Sequence, residues 1–424
     1  MKICIISDYL PYIHNSWSGA ELVSRKTGKI LSRMGHEIRY VSLSPDKECP
    51  ANNISFIKFP FKKLQFLVKN FPIDVVSFFQ VFKAIKDFNP DVVHIQAKIL
   101  FFPSAISASL LGIPYFFTVL DYYNLCPRNI LLRKNGELCH YYHGAYCSDC
   151  VSQSDRAIVK IINLIFPFFL KKLFFILRKK IVDFFMYKAA KIITFSNTSQ
   201  ERLLAYGYRK DKVAVVYHYS FENIQPDANP AEPVKNNKIL FVGAITYHKG
   251  LHILVEAMRD VVKGIPEAKL LIAGSGNGAY LNSIHNFISE NNLSKNIEFL
   301  GHKSNKEVLE LMNDVAMVIV PEQWYSEFGP VILIEAKLAN KPVVASKIGS
   351  IPEYVRDGVD GVLSQHNLPG DFSEAILKVL RGKDMAVMMS QSLSARIEVV
   401  KDAKKTFSCL EELYGSAKRS NFGL

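Results

Sequence analysis

Val315–Glu335 reads VAMVIVPEQWYSEFGPVILIE. The run up to Val320 is continuously apolar, as in a strand buried on both faces of a parallel sheet. Pro321 ends it, because proline has no N–H to give to a ladder. Apolar residues return over Val331–Ala339, and another short apolar run, Pro342–Ala345, follows. The spacing predicts strand, turn, helix and strand, the unit of a doubly wound α/β fold. Glu327 stands in the turn and Glu335 eight residues later on the helix. In such folds ligands bind beyond the carboxyl ends of the strands, where an acidic side chain takes ribose hydroxyls. Glu327 is a candidate acceptor for sugar hydroxyls and Glu335 for a ribose. Ordinary helices carry two carboxylates at this spacing as well.

The same alternation extends in both directions. Lys238–Val242, Lys269–Ala273 and Ile297–Leu300 read as strands with helices between them. Earlier strands are expected at Lys2–Ser7, Glu37–Leu43, Asp91–Gln96, Pro114–Leu120, Lys191–Phe195 and Val213–Val216. Helices are expected at Glu21–Met34 and Phe102–Leu111, with a small-residue loop at Ser16–Ala20. Gln225–Asn237 (QPDANPAEPVKNN) carries three prolines and cannot build a core. Residues 218–237 are therefore a linker. The 424 residues suit two domains. The expected architecture is α/β, with two doubly wound, Rossmann-like parallel-sheet domains facing a cleft. They span 1–217 and 238–394, and a helical segment, 395–424, closes the chain.

Two glycine-bearing turns follow strands of the second half. Gly243–Gly250 (GAITYHKG) opens a helix, whose N-terminus favours an anion, and Lys249 adds a point charge suited to a phosphate. Gly274–Gly278 (GSGNG) is either a second phosphate loop or a plain tight turn.

Taken together, FVGAITYHKG, FLGHK, EFGPVILIEA and NKPVVASKIGSIPEYVRDGVDG resemble the C-terminal domain of the family 4 retaining glycosyltransferases, which have the GT-B fold. Ser18–Glu21 (SGAE) is similar to that family's donor loop, and Ile193–Leu204 to the stretch closing its first domain. The resemblance implies transfer of a sugar from a UDP- or GDP-sugar with retained stereochemistry and no catalytic metal. It implies that Lys249 meets the donor diphosphate, Glu327 the transferred sugar and Glu335 the ribose. Backbone amides in the Gly19 loop and near Phe328–Val331 would meet the phosphates, and Gly243, Phe328, Gly329, Pro330 and Val331 are counted in the implied donor site. Asp121, ending TVLD, joins Lys249 and Glu327 in the implied catalytic set. The sequence departs from the family at Ala244, where Arg is usual, and at Leu120, where His is usual. His94, His248 and His302 are not obvious substitutes. In such enzymes the C-terminal segment often packs back on the first domain.

The net charge of +13 is unevenly placed: residues 1–217 carry +15 and 218–424 carry −2. Arg156–Lys191 holds nine Lys/Arg and one acid, interleaved with phenylalanines, and Phe56–Phe71 is similar. Such stretches suit an anionic membrane surface. The alternative is that the aromatics are core and the lysines merely solvated. Residues 121–151 hold Cys126, Cys139, Cys147 and Cys150, spaced C-x12-C-x7-C-x2-C. The close pair is typical of half a tetrahedral thiolate site, so a structural zinc is expected, with His140 or His143 able to replace a ligand. An iron–sulfur cluster, free thiols and disulfides are the alternatives.

Met1–Ser7 is too short for an export signal and reads as a strand, so a reducing cytoplasm is expected. Ile161–Leu170 is too short to span a bilayer and runs into Lys171 and Lys172. The expected protein is peripheral on the inner face of the cytoplasmic membrane. It would extend a lipid-linked or oligosaccharide acceptor in surface polysaccharide assembly, such as lipopolysaccharide. A non-catalytic member binding a nucleotide or a partner enzyme is the competing reading. Nucleic acid is excluded as a partner, since no recognition module accompanies the charge.

Overall fold

The computed structural model describes residues 1–11, 13–14, 19–45, 53–60, 65–129, 131, 133, 139, 145–152, 168–217, 236–276, 278–325, 330–382 and 405–417. It divides into two compact units, Met1–Glu222 with Lys404–Leu424, and Asn223–Ala403. The expected linker falls outside the described residues except for Asn236 and Asn237.

The first unit is a seven-stranded parallel sheet: β1 (Lys2–Ser7), β2 (Glu37–Leu43), β3 (Ile54–Ile57), β4 (Val92–Gln96), β5 (Tyr115–Thr118), β6 (Lys191–Thr194) and β7 (Val213–Val215). Their order is β3-β2-β1-β4-β5-β6-β7, and every pairing is parallel. Central strands must be apolar on both faces, and β1 is buried at every residue after Lys2. Ile3, Ile5, Tyr40, Phe116 and Ile193 share one core. A helix at 405–415 adds Phe407, Leu410 and Tyr414 to it. Burial of side chains this size contributes roughly 1.5–3 kcal/mol each.

The second unit is a six-stranded parallel sheet: β8 (Lys238–Val242), β9 (Lys269–Ala273), β10 (Ile297–Gly301), β11 (Met317–Val320), β12 (Val343–Ser346) and β13 (Gly361–Ser364). The order is β10-β9-β8-β11-β12-β13. The helix Leu251–Gly264 turns Leu254, Met258 and Val261 into the core, where Phe372, Ile376 and Val379 of the helix Pro369–Leu380 meet them. The helix Asn305–Asn313 is started by a capping box, Ser304 accepting from Glu307 N and Glu307 from Ser304 N.

One expectation is corrected. The first helix runs Gly19–Arg33, so Gly19 opens a helix and does not sit in a loop, and Ser16–Ser18 lie outside the described residues. The aromatics of the basic stretch are divided between interior and surface: Phe175 and Phe185 are buried, whereas Phe169 and Phe184 are exposed, and Phe166 lies outside the described residues.

Candidate functional site

In the second unit the turns at the carboxyl ends of four strands are laced together. β11 pairs with β8, which brings Pro321–Gln323 beside Tyr247–Gly250. Gln323 N donates to His248 O at 2.8 Å. Gly250 is left-handed at φ 72°, and a Cβ there would stand 1.7 Å from Pro321 O, so the position accepts only glycine. β9 lies on the other side of β8. Gly274 approaches so closely that a Cβ would stand 1.9 Å from Gly243 O, while Ile245 N donates to Ser275 O at 2.8 Å. Gly274 N donates in turn to Gly301 O, at the end of β10.

Lys249 projects from this lattice and forms an ion pair with Glu322, which is buried at 3% exposure. Glu335 is also buried, in the helix Val331–Leu338, and accepts from Asn305 Nδ2 at 2.6 Å. Buried carboxylates persist only with donors or cations beside them, and each of these has one. Pro330 caps the helix and Val331 is its first residue. Glu327, Phe328 and Gly329 lie outside the described residues. Ala244 is exposed on the first turn. His248 is half-buried, with its ring 4.3 Å from that of Trp324, and His302 is exposed.

The first unit gathers charge at the corresponding edge of its own sheet. Asp8, after β1, accepts from the backbone N–H groups of Lys98, Ile99 and Leu100 at 2.8–3.1 Å, just before the helix Phe101–Leu110. Burial pushes the Asp8 carboxyl up despite these bonds. Asp121, after β5, accepts from Tyr123 N at 2.9 Å and forms an ion pair with Lys98. Burial pulls the Lys98 ammonium down, but Asp121, then Asp8 and Glu21, outweigh it and leave the pKa raised. Glu21 lies in the first turn of the helix that Gly19 opens. Gly19, Lys98 and Asp121 thus share one neighbourhood, and Leu120 is half-buried beside it. His94 lies in the interior of the unit, bonded to Thr118 Oγ1 and to Tyr414 Oη, each at 2.6 Å. Burial holds its pKa down at about 3.

Cys147 and Cys150 lie on the helix Ala145–Ser152. Burial pushes the Cys147 thiol up to about 12, and Cys126, Cys139 and Cys150 are near enough to add to the rise. Arg128 Nη1 lies 3.3 Å from Cys150 Sγ. Among the described residues, no group of three or more His, Cys, Asp or Glu side chains is arranged to hold a metal ion. His140 and His143 lie outside the described residues. The three other thiols thus lie near Cys147. Three residues that bear on the site escaped the sequence reading: Glu322, Asn305 and Lys98. Each acts on a partner at least 23 residues away in the chain, as Asp121 is from Lys98.

Residues 17–218 match the family described as Glycosyltransferase Family 4, and residues 224–395 that described as Glycosyl transferases group 1. An uncharacterized glycosyltransferase of Methanocaldococcus jannaschii is 35% identical over 153 residues, 36% of this chain and 41% of the relative. Such matches span about half or less of the curated relatives. Among solved structures, Anabaena HepE in complex with UDP-glucose has a TM-score of 0.67 at 18% identity, covering 97% of this chain and all of that one. WaaG, a glycosyltransferase involved in lipopolysaccharide biosynthesis, has a TM-score of 0.60 at 14% identity, covering 98% of this chain and all of that one. At these identities the likeness speaks for the fold.

Proposed function

We propose that this chain, whose two halves match glycosyltransferase family models, transfers a sugar, with retention, from a UDP-sugar to a lipid-linked glycan at the inner face of the cytoplasmic membrane. The observation that carries the reading is the carboxyl edge of the second sheet, where Lys249 stands on glycine-locked turns and Glu335 is held by Asn305. Glu335 would accept from the ribose hydroxyls. Lys249 would face the diphosphate, with the backbone N–H groups near Val331. As the anomeric C–O bond to the diphosphate breaks, negative charge grows on the departing oxygen, and fixed positive charge lowers that barrier. The acceptor hydroxyl bonds to the same face of the anomeric carbon and passes its proton to the departing diphosphate. Glu327 would hold the hydroxyls of the moving sugar.

UDP and UDP-sugars should raise the melting temperature, since ligands of the folded state stabilise it. Glu335→Ala should remove that rise. Absence of a rise with UDP, but a rise with GDP, overturns the UDP assignment, and no rise with either overturns the donor site. Ala244 and Leu120 favour a second reading, a chain that binds the nucleotide without turnover. Release of UDP from a UDP-sugar by the parent chain, lost in Glu327→Ala, excludes it.

A further inference from the structure

The helix Phe168–Lys188 is turned the wrong way for a solvated surface. Over its 21 residues, about 31 Å of helix, the outward stripe is apolar. Phe169, Leu173, Ile176, Leu177, Phe184 and Tyr187 recur at three- and four-residue steps and are all exposed, Phe169 at 66% and Leu173 at 57%. That spacing puts them on one face. The opposite face, with Phe175, Arg178, Val182, Phe185 and Met186, is buried. A second exposed apolar group adjoins it. Ile73, Val75, Val76 and Phe79 lie at and before the start of the helix Val75–Phe88, and Phe79 is 64% exposed. The two are tied together beneath the surface. The rings of Phe71 and Phe174 are 4.6 Å apart, and Arg178 donates to Asn70.

Apolar area of this extent on a soluble chain marks a contact surface, and charge selects the occupant. Lysines 171, 172, 179, 180 and 188 lie on the same helix against one acid, Asp183, which is paired with Lys179. Lys83 and Lys86 follow Phe79 on the neighbouring helix. A second copy of this chain would bring like charge against like. No described helix is long and apolar enough to cross a membrane. We infer that the outward stripe of Phe168–Lys188, with Ile73–Phe79, lies flat on an anionic bilayer, its rings among the acyl chains and its lysines among the headgroups. This specifies the surface behind the membrane half of the proposed function and is independent of the donor site.

The test is flotation of the full chain with phosphatidylcholine vesicles, with and without phosphatidylglycerol. The parent should float with the anionic vesicles, less with the neutral ones, and less again at high salt. Phe169→Asp/Leu173→Asp/Phe184→Asp should lower the bound fraction at least ten-fold, whereas Leu368→Asp, an exposed leucine of the second unit, should not. The melting temperature and its rise with UDP should survive in the triple variant. If the triple variant melts early, the single variants Phe169→Asp and Leu173→Asp carry the test. A parent that floats with neither vesicle, or a variant that floats as well as the parent, overturns the proposal. So does a parent that sediments as a dimer and becomes monomeric in the triple variant. A chain that floats but ignores UDP keeps this inference and loses the donor site.

Discussion

Both sheets end in a lysine set against a carboxylate, yet the two pairs are built for different work. In the first unit Lys98 faces Asp121, Asp8 and Glu21, and its pKa is raised by that acid majority. In the second unit Lys249 forms its ion pair with the buried Glu322, on turns that admit only glycine at Gly250. Three acids around one cation outnumber it, and the acid surplus disfavours a further anion. Lys249 stands where the turns after β8 and β11 meet, at a strand-to-helix junction of the kind that takes an anion. The contrast is what the proposed donor site in the second unit rests on.

The comparison breaks most visibly at Lys249. Lys249→Ala should lower kcat about 100- to 1,000-fold, the loss typical of removing one fixed donor to developing charge. Lys98→Ala should act mainly on stability, so kinetics with UDP-sugar on both variants tests the contrast directly. Gly250→Ala should cost about 3 kcal/mol in urea unfolding, from left-handed strain and the collision with Pro321 O. Asp121→Asn should cost about 1–3 kcal/mol by leaving Lys98 short of its nearest anion.

A smaller effect separates the units by pH. His94 stays neutral when folded, with a pKa near 3, while the unfolded chain takes up its proton near pH 6.5. The stability this gives is complete above about pH 6.5 and is lost as pH falls toward 3, by at most about 1.4 kcal/mol per pH unit. Urea unfolding from pH 7 to 5 should show this slope, and His94→Gln should flatten it. At the bottom of the scale is Lys238–Asp314, a solvent-exposed pair. Asp314→Ala should cost under about 1 kcal/mol.

Central strands were legible in the sequence because burial on both faces forces continuous apolar runs: Lys2–Ser7 and Glu37–Leu43 occur at the predicted bounds. The edge strands β3 and β13 were missed. Each has four residues, and ISFI in β3 is only partly buried, so neither shows an apolar run. Lys249 was legible because it follows a glycine turn after a strand. Glu322 was not, although it lies in the very stretch that decides the fold. What marks it is an ion pair across 73 residues, created only when β11 pairs with β8. Asn305 was hidden likewise, behind a bond spanning 30 residues. Spacing reports neighbours along one element, whereas these contacts depend on strand order.

The helix at 405–415 gives the chain an order of assembly. Phe407, Leu410 and Tyr414 complete the core around Ile3 and Ile5, and Tyr414 supplies a partner to buried His94. During synthesis, the first unit emerges without these residues and waits while Asn223–Ala403 is translated. At about 5–20 residues per second that interval is roughly 10–40 s. Throughout it the first sheet lacks Phe407, Leu410 and Tyr414, so the first unit completes its core only after residues 405–415 have been made.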